Sequence, residues 1–327
     1  MIKNILITGG YGFIASNFLV YLVNKYKDIN FYNYDCLLYC ASEKNVEEII
    51  NEPNFKTTEN KLQNKEYLLS YLIENNIDCV MHFAAQSHVE YSFNNSLDYT
   101  NDNIYGTHIL LECCRIYGKI IKFIHMSTDE VYGESMLNDE IKKDENSILC
   151  PTNPYAATKA AAEMLCVAYY KSFNMPIIII RSNNIYGDKQ YIDKVIPRFI
   201  LQLLRNSECT IQGDGSCVRS FLHIDDLIQC LELIMNDGKI GEIYNIGLGE
   251  EISILNLAKK IIKLIKKSDD YDNHIVYIND RDFNDKRYYI SDDKIKLLGW
   301  NRKIELDDGL NRTINYYMKQ MNEYNDD

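Results

Sequence analysis

Short apolar runs alternate with stretches of helical period through the first half of the chain. Ile5-Leu6-Ile7-Thr8 leads into a glycine-rich turn, and an apolar spacing of helical type then continues to about Tyr26. Phe31 to Tyr34 reads as a second strand ending in Asp35, Phe55 to Thr58 as a third, and Gln63 to Asn75 as a helix. A fourth strand, Cys79 to Ala85, closes in small residues. Leu97 to Tyr117 reads as a long helix, and Ile120 to Met126 as a fifth strand. Ile177 to Ile180 is wholly apolar and β-branched, the mark of a strand covered on both faces of a parallel sheet. Such strand–helix alternation predicts an α/β protein with a doubly wound parallel sheet.

From about residue 184 the elements shorten. Helices are expected near Ile196 to Leu204, from Asp225, from Ser253 to Lys266 and near Leu310 to Met318, with strands near Thr210, at Ile243 to Ile246 and near Val276. The division predicted is a nucleotide-binding domain over 1–183 and a smaller, partly discontinuous α/β lobe over 184–327. Some chain of the lobe returns to the first domain, and substrate lies in the cleft between them.

The chain of 327 residues is 46% hydrophobic and 25% charged, which suits a folded core. Its net charge of −12 argues against a nucleic-acid or anionic-membrane partner. A small anion needs only a local cluster, and Lys194, Arg198, Arg219, Arg281, Lys286 and Arg287 offer one. No apolar run reaches the length of a membrane span, and no leader pattern follows Met1. The ten cysteines are scattered. Reduced thiols in a cytoplasmic protein are the expectation. His82 and His88 lack completing ligands, so no metal is expected.

Candidate chemistry begins at Gly10-Tyr11-Gly12-Phe13-Ile14-Ala15, a G-x-G-x-x-G/A pattern between strand and helix. The glycines let the backbone approach a pyrophosphate at a helix N-terminus. Asp35 ends the second strand, where an acid binds ribose hydroxyls and repels a 2′-phosphate; the cofactor expected is NAD. The fifth strand delivers Ser127-Thr128-Asp129-Glu130-Val131-Tyr132-Gly133. A helix opens at Asn153-Pro154-Tyr155, with Asn153 as its cap and Pro154 at its first position. Tyr155 and Lys159 then share one face, and a cation beside a phenol favours phenolate.

Thr128 with Tyr155-x-x-x-Lys159 resembles the extended short-chain dehydrogenase/reductase family acting on nucleotide sugars. Thr128-Asp129-Glu130-Val131-Tyr132-Gly133 is similar to the hallmark of its nucleotide-diphosphoglucose 4,6-dehydratases. Asn103-Ile104-Tyr105-Gly106-Thr107-His108, Pro151-Thr152-Asn153-Pro154-Tyr155 and Phe283-Asn284-Asp285-Lys286-Arg287-Tyr288 resemble the UDP-glucose branch, with the dTDP-glucose branch next.

That resemblance implies a dehydration run through an internal redox cycle, a first step towards rhamnose or another 6-deoxy sugar. Tyr155, Thr128 and Lys159 would serve C4 oxidation, Glu130 would take the C5 proton, and Asp129 would protonate the leaving C6 hydroxyl. It implies cofactor contacts at Gly9, Gly12, Phe13, Ile14, Asp35, Cys36, Ala84, Ala85, Tyr155 and Lys159. Substrate contacts would fall on Ser87, Thr128, Asn184, Lys194, Val195, Arg219, Asn245, Arg281 and Asn284, with Thr210, Ile211 and Gln212 bordering the base. At the position usually contacting adenine stands Lys61 or its neighbour Asn60. A homodimer through the helices Leu97–Tyr117 and Tyr155–Phe173 is expected, and separate downstream epimerase and reductase proteins. The rival readings are an epimerase or decarboxylase using the same Tyr155 and Lys159, and a non-catalytic NAD-binding protein.

Overall fold

The computed structural model describes residues 2–280 and 283–321. A seven-stranded sheet forms its centre. From edge to edge it runs Ile243–Ile246, Ile177–Ser182, Lys122–Thr128, Cys79–His82, Asn4–Thr8, Asn30–Asp35 and Phe55–Glu59, with every neighbouring pair parallel. The strand Ile243–Ile246 is the part of the later chain that returns to the sheet, pairing with Ile177–Ser182.

Period-2 alternation explains why the inner strands are largely apolar on both faces, whereas the edge strand Phe55–Glu59 is mostly polar and exposed. Ile5, Ile7, Ile178 and Ile180 face one layer, against Phe18, Leu22 and Leu231. Leu6, Ile177 and Ile179 face the other, against Leu72, Leu110 and Cys166. Neither face of the inner strands meets water, so each position there must be apolar or paired. A separate core under the second lobe gathers Phe199, Ile200, Ile211, Leu257, Ile261 and Leu310.

Two helices position the site. The long one is continuous from Ser96 to Tyr117, but Thr100–Tyr105 is a π turn. That turn buries Asn103, whose side chain accepts from the Gln86 amide at 2.7 Å and donates to Thr158 Oγ1 at 2.9 Å. The other helix, Pro154–Phe173, starts where the sequence predicts. Asn153 Oδ1 accepts from Ala156 N at 2.8 Å, and Pro154 occupies the first turn.

The Pro154–Phe173 helix is clamped to the sheet by a buried ion pair. Arg181 donates two bonds to Glu163 Oε2, at 3.0 and 2.6 Å, and a third at 2.6 Å to the Tyr132 hydroxyl. Tyr132 in turn donates to Asn245 Oδ1 at 2.8 Å. Removing one partner of such a pair leaves a buried charge uncompensated. Arg181→Met should therefore destabilise the fold by about 3–5 kcal/mol, with Glu163→Leu added to it recovering most of the loss. Urea unfolding midpoints of the single and double variants check this; a harmless single substitution would contradict the clamp.

Candidate active site

The carboxyl ends of the central strands open on one cleft between sheet and lobe. Gly9, Gly12, Phe13 and Ile14 line one end of it, with Asp35, Cys36, Ala84 and Ala85. Gly9 has φ +73°, and a Cβ there would meet the Ala84 backbone at 2.8 Å, so only glycine fits. Gly12 precedes the helix Phe13–Lys25 without a side-chain cap. Asp35 is braced by backbone amides: Tyr11 N donates to Oδ2 at 2.9 Å and Leu37 N to Oδ1 at 2.8 Å. Asn60, rather than Lys61, stands on the cleft wall.

Strand and helix bring the expected reactive groups together. Thr128, Asp129, Glu130, Tyr155 and Lys159 all line the cleft and are all buried. Asp129 Oδ2 accepts from Asn183 Nδ2 at 2.5 Å, and Oδ1 from Thr128 Oγ1 at 3.2 Å. Glu130 Oε2 accepts from Asn153 Nδ2 at 3.1 Å, and the Tyr288 hydroxyl oxygen lies 3.4 Å away. Asn153 thus caps the helix with one end of its amide and holds Glu130 with the other. Burial, and then the charge of Glu130, push Asp129 up to about 7. Burial also raises Glu130, opposed by its bond from Asn153 and by Arg219.

One expectation is corrected here. Lys159 was expected to hold Tyr155 near phenolate. Its Nζ instead donates to the Met126 carbonyl at 2.6 Å, and burial lowers it to about 8. The Tyr155 phenol is pushed up from its ordinary value by burial and by the neighbouring Glu130 charge, with only Thr128 pulling it down. Helical spacing puts the two residues on one face, and the lysine donates to a strand carbonyl.

Ser87, Asn184, Lys194, Val195, Gln212, Arg219 and Asn284 line the other end of the cleft. Lys194 Nζ donates to the Ser87 carbonyl at 3.0 Å. Arg219 donates to Asn284 Oδ1 at 3.3 Å and lies over the Tyr288 ring at 4.7 Å. Arg198 also lines the cleft, whereas Arg287 is turned away, bidentate to Glu251 at 2.7 and 2.6 Å. Lys286 is not among the lining residues. Arg281 lies outside the described residues.

Three expected substrate contacts do not reach the cleft. Asn245 is fully buried, held by Tyr132 and by the Lys143 carbonyl. Its register opposite Arg181 turns it into the clamp beneath the sheet. Ile211 faces the lobe core, and Thr210 bonds Gln202, so in this strand only Gln212 lines the cleft.

The cleft also holds residues that the sequence reading did not single out. Asn183, Asp285 and Tyr288 complete the carboxylate surroundings; Tyr288 donates to Asp285 Oδ2 at 2.5 Å, and Thr152 to Oδ1 at 2.7 Å. Asp285 and Tyr288 stand in the run Phe283–Tyr288 quoted above without a role, and Asn183 adjoins the expected Asn184. His88 lies in the wall 3.3 Å from Asp193, while His82 is buried between Thr8 and Thr107. Among the described residues no group of three or more His, Cys, Asp or Glu could hold a metal. All ten cysteines are free, and no described helix is long and apolar enough to cross a membrane.

A doubly wound sheet, a glycine turn at its first strand and a hydroxyl–Tyr–Lys set at the cleft define a member of the extended short-chain dehydrogenase/reductase class. The chain matches the family described as GDP-mannose 4,6 dehydratase over residues 6–313, and it belongs to that family. It is 45% identical to an Arabidopsis thaliana trifunctional UDP-glucose 4,6-dehydratase/UDP-4-keto-6-deoxy-D-glucose 3,5-epimerase/UDP-4-keto-L-rhamnose-reductase, across 96% of this chain and 47% of that one. The chain therefore spans about half the length of that plant relative. It is 42% identical to the human dTDP-D-glucose 4,6-dehydratase, across 98% of this chain and 92% of the other. The solved dTDP-glucose 4,6-dehydratase from Bacillus anthracis in complex with NAD superposes with a TM-score of 0.90 at 34% identity, covering 98% of each chain.

Burying the carboxylate pair has a signed effect on stability. Asp129 has a folded value near 7 against an ordinary 3.8, so its protonated form favours the fold. That contribution is full below the unfolded value and is lost as pH rises through about 7. Asp129→Asn should therefore raise the unfolding free energy at about pH 8 by roughly 2 kcal/mol or more, and change it little near pH 4. Denaturant midpoints at the two pH values check the sign.

Proposed function

We propose that the chain catalyses the NAD-dependent dehydration of UDP-glucose to UDP-4-keto-6-deoxy-glucose. The observation that carries this reading is the pair Asp129–Glu130. Both carboxylates are buried at one strand end, and each is held by a different asparagine. An epimerase or decarboxylase reaction needs the Tyr and Lys but gives no work to a second adjacent carboxylate.

NAD fits the cradle of Gly9, Gly12 and Asp35, where a Cβ at Gly9 would strike Ala84 and the open helix N-terminus suits a pyrophosphate. When bound, NAD supplies a hydride acceptor and donor, and its cationic ring adds positive charge to the cleft. Tyr155 would accept the proton of the C4 hydroxyl, with Thr128 hydrogen-bonding the same oxygen. A C4 ketone makes the C5 proton acidic, and Glu130 would remove it. Asp129, which burial and Glu130 push up to about 7 so that its protonated form is present at neutral pH, would give its proton to the leaving C6 hydroxyl. Lys194 and Arg219 supply cations on the cleft wall for a diphosphate.

The UDP-glucose assignment is supported by the plant relative and by the runs around Asn103, Asn153 and Phe283. dTDP-glucose is the second reading, favoured by the human relative and the Bacillus anthracis structure. Pairing with a second copy is part of the proposal. Leu97, Met164 and Phe173 are 81%, 50% and 51% exposed on the two long helices, apolar area that a partner copy would cover. The epimerase and reductase steps towards rhamnose would be supplied by other proteins.

Turnover with UDP-glucose should exceed that with dTDP-glucose, and each should yield a 4-keto-6-deoxy sugar rather than a C4 epimer. Asp129→Asn combined with Glu130→Gln should keep NAD binding and C4 oxidation while losing elimination by at least about 100-fold. Near-parental product formation by that double variant would end the assignment.

A further inference from the structure

A third buried carboxylate stands behind the Asp129–Glu130 pair. Asp285 accepts at both oxygens, Oδ1 from Thr152 Oγ1 at 2.7 Å and Oδ2 from the Tyr288 hydroxyl at 2.5 Å. That is the pattern of a carboxylate acting only as an acceptor. Its place is fixed from two directions. Thr152 lies just ahead of the Pro154–Phe173 helix, and Arg219 donates to the Asp285 carbonyl at 2.9 Å. The dehydratase reading gives Asp285 no part, although it is buried and lines the cleft.

Tyr288 stands between this carboxylate and Glu130. Its hydroxyl carries one proton. The oxygen lies 2.5 Å from Asp285 Oδ2 and 3.4 Å from Glu130 Oε2, so the proton is committed to Asp285. What Glu130 meets is a lone pair of the phenol oxygen, not a donor. Burial, and then the charge of Glu130, raise the phenol well above its ordinary value, so Tyr288 keeps its proton. Among the described residues Asn153 is then the one side chain that donates to the Glu130 carboxylate, at 3.1 Å. A carboxylate with one donor is a stronger base than the same group with two, because each hydrogen bond favours the charged form.

We propose that Asp285 is a positioning residue for the C5 proton transfer: it draws the single hydroxyl proton of Tyr288 away from Glu130 and so preserves the basicity of that carboxylate. The role of Glu130 rests on the dehydratase reading, but the direction of the Tyr288 bond can be measured without turnover. The charged and titratable groups around Glu130 are Asp129 beside it, Tyr155 on the helix, Arg219 and Lys194 from the second lobe, and Asp285 with Tyr288. Replacing Asp285 by asparagine removes a negative charge as well as an acceptor, so a second substitution is needed to separate the two.

Protonated Glu130 has a carboxylic C=O stretch in the infrared that Glu130→Gln would lack. Titrating that band in the NAD-loaded protein, without sugar, gives the Glu130 midpoint. Asp285→Asn should lower the midpoint by about one pH unit or more, because the Tyr288 proton is released to Glu130 and one negative charge is lost. Adding Tyr288→Phe to Asp285→Asn should recover about half of that shift or more, because it removes the released donor. Tyr288→Phe alone should leave the midpoint within about 0.3 units of the parent, whatever it does to the rate. The acid limb of kcat/KM, where activity falls as pH falls through the Glu130 value, should follow the same order. A midpoint raised by about one unit in Tyr288→Phe alone would mean that the hydroxyl donates to Glu130, and the proposal is then wrong. An Asp285→Asn shift that Tyr288→Phe leaves untouched reduces Asp285 to its charge and overturns it as well. Should Asp285→Asn fold poorly, the titration of Tyr288→Phe decides. If the unaltered protein forms no 4-keto-6-deoxy product from UDP-glucose or dTDP-glucose, the dehydratase reading fails and the catalytic role of Asp285 with it, whereas the infrared order speaks to the hydrogen bonds alone.

Discussion

Two neighbouring carboxylates held out of water at the end of one strand are the constraint on which the site is built. Like charges in a low-dielectric wall cannot both ionise cheaply. Their surroundings must therefore be unequal, and they are. Asn183 reaches Asp129 from the end of the adjacent strand, and Asn153 reaches Glu130 from the start of the helix. The chain must then leave the strand abruptly, and Gly133 makes the turn. It sits at φ +75°, and a Cβ there would lie 2.0 Å from the Cys150 carbonyl oxygen. The helix that follows is fixed by Arg181 and Glu163, so the phenol and the carboxylates are registered by one continuous set of contacts from sheet to helix.

The second lobe completes that environment rather than only enclosing it. Arg219 lies over Tyr288, and Tyr288 stands between Glu130 and Asp285. The charge of Arg219 also acts on Glu130 directly, lowering it against the effect of burial. Nothing in the strand that carries Glu130 could provide this coupling. It comes from Tyr288, 158 positions away, whose hydroxyl lies 3.4 Å from the carboxylate.

Much of this was legible in the sequence because it rests on local chemistry. The four consecutive isoleucines at 177–180 announce a strand buried on both sides, and they fill both layers of the core. Asn153-Pro154 announces a helix start, and the cap forms as expected. What depends on tertiary register was not legible. Asn245 belongs to a strand whose pairing with Arg181 turns it away from the cleft. Asn183 and Asn184 are adjacent, yet Asn183 is the one that bonds Asp129. Spacing puts Tyr155 and Lys159 on one face but says nothing of the Met126 carbonyl that takes the ammonium. Burial then sets the phenol's pKa against the expectation from charge alone.

The π turn at Thr100–Tyr105 has an effect on the geometry of the whole long helix. An α-helix rotates about 100° per residue, and a wider turn absorbs one residue without that rotation. It acts as a phase shifter between two faces of a single rod. Within it, Asn103 is aimed at the Gln86 loop and at Thr158 on the Tyr155 helix. Beyond it, Leu110, Leu111 and Cys114 are in step with the core under the sheet. Loss of one residue from the turn would leave both halves helical while putting them out of step, so that the polar contact or the apolar one could be kept, but not both.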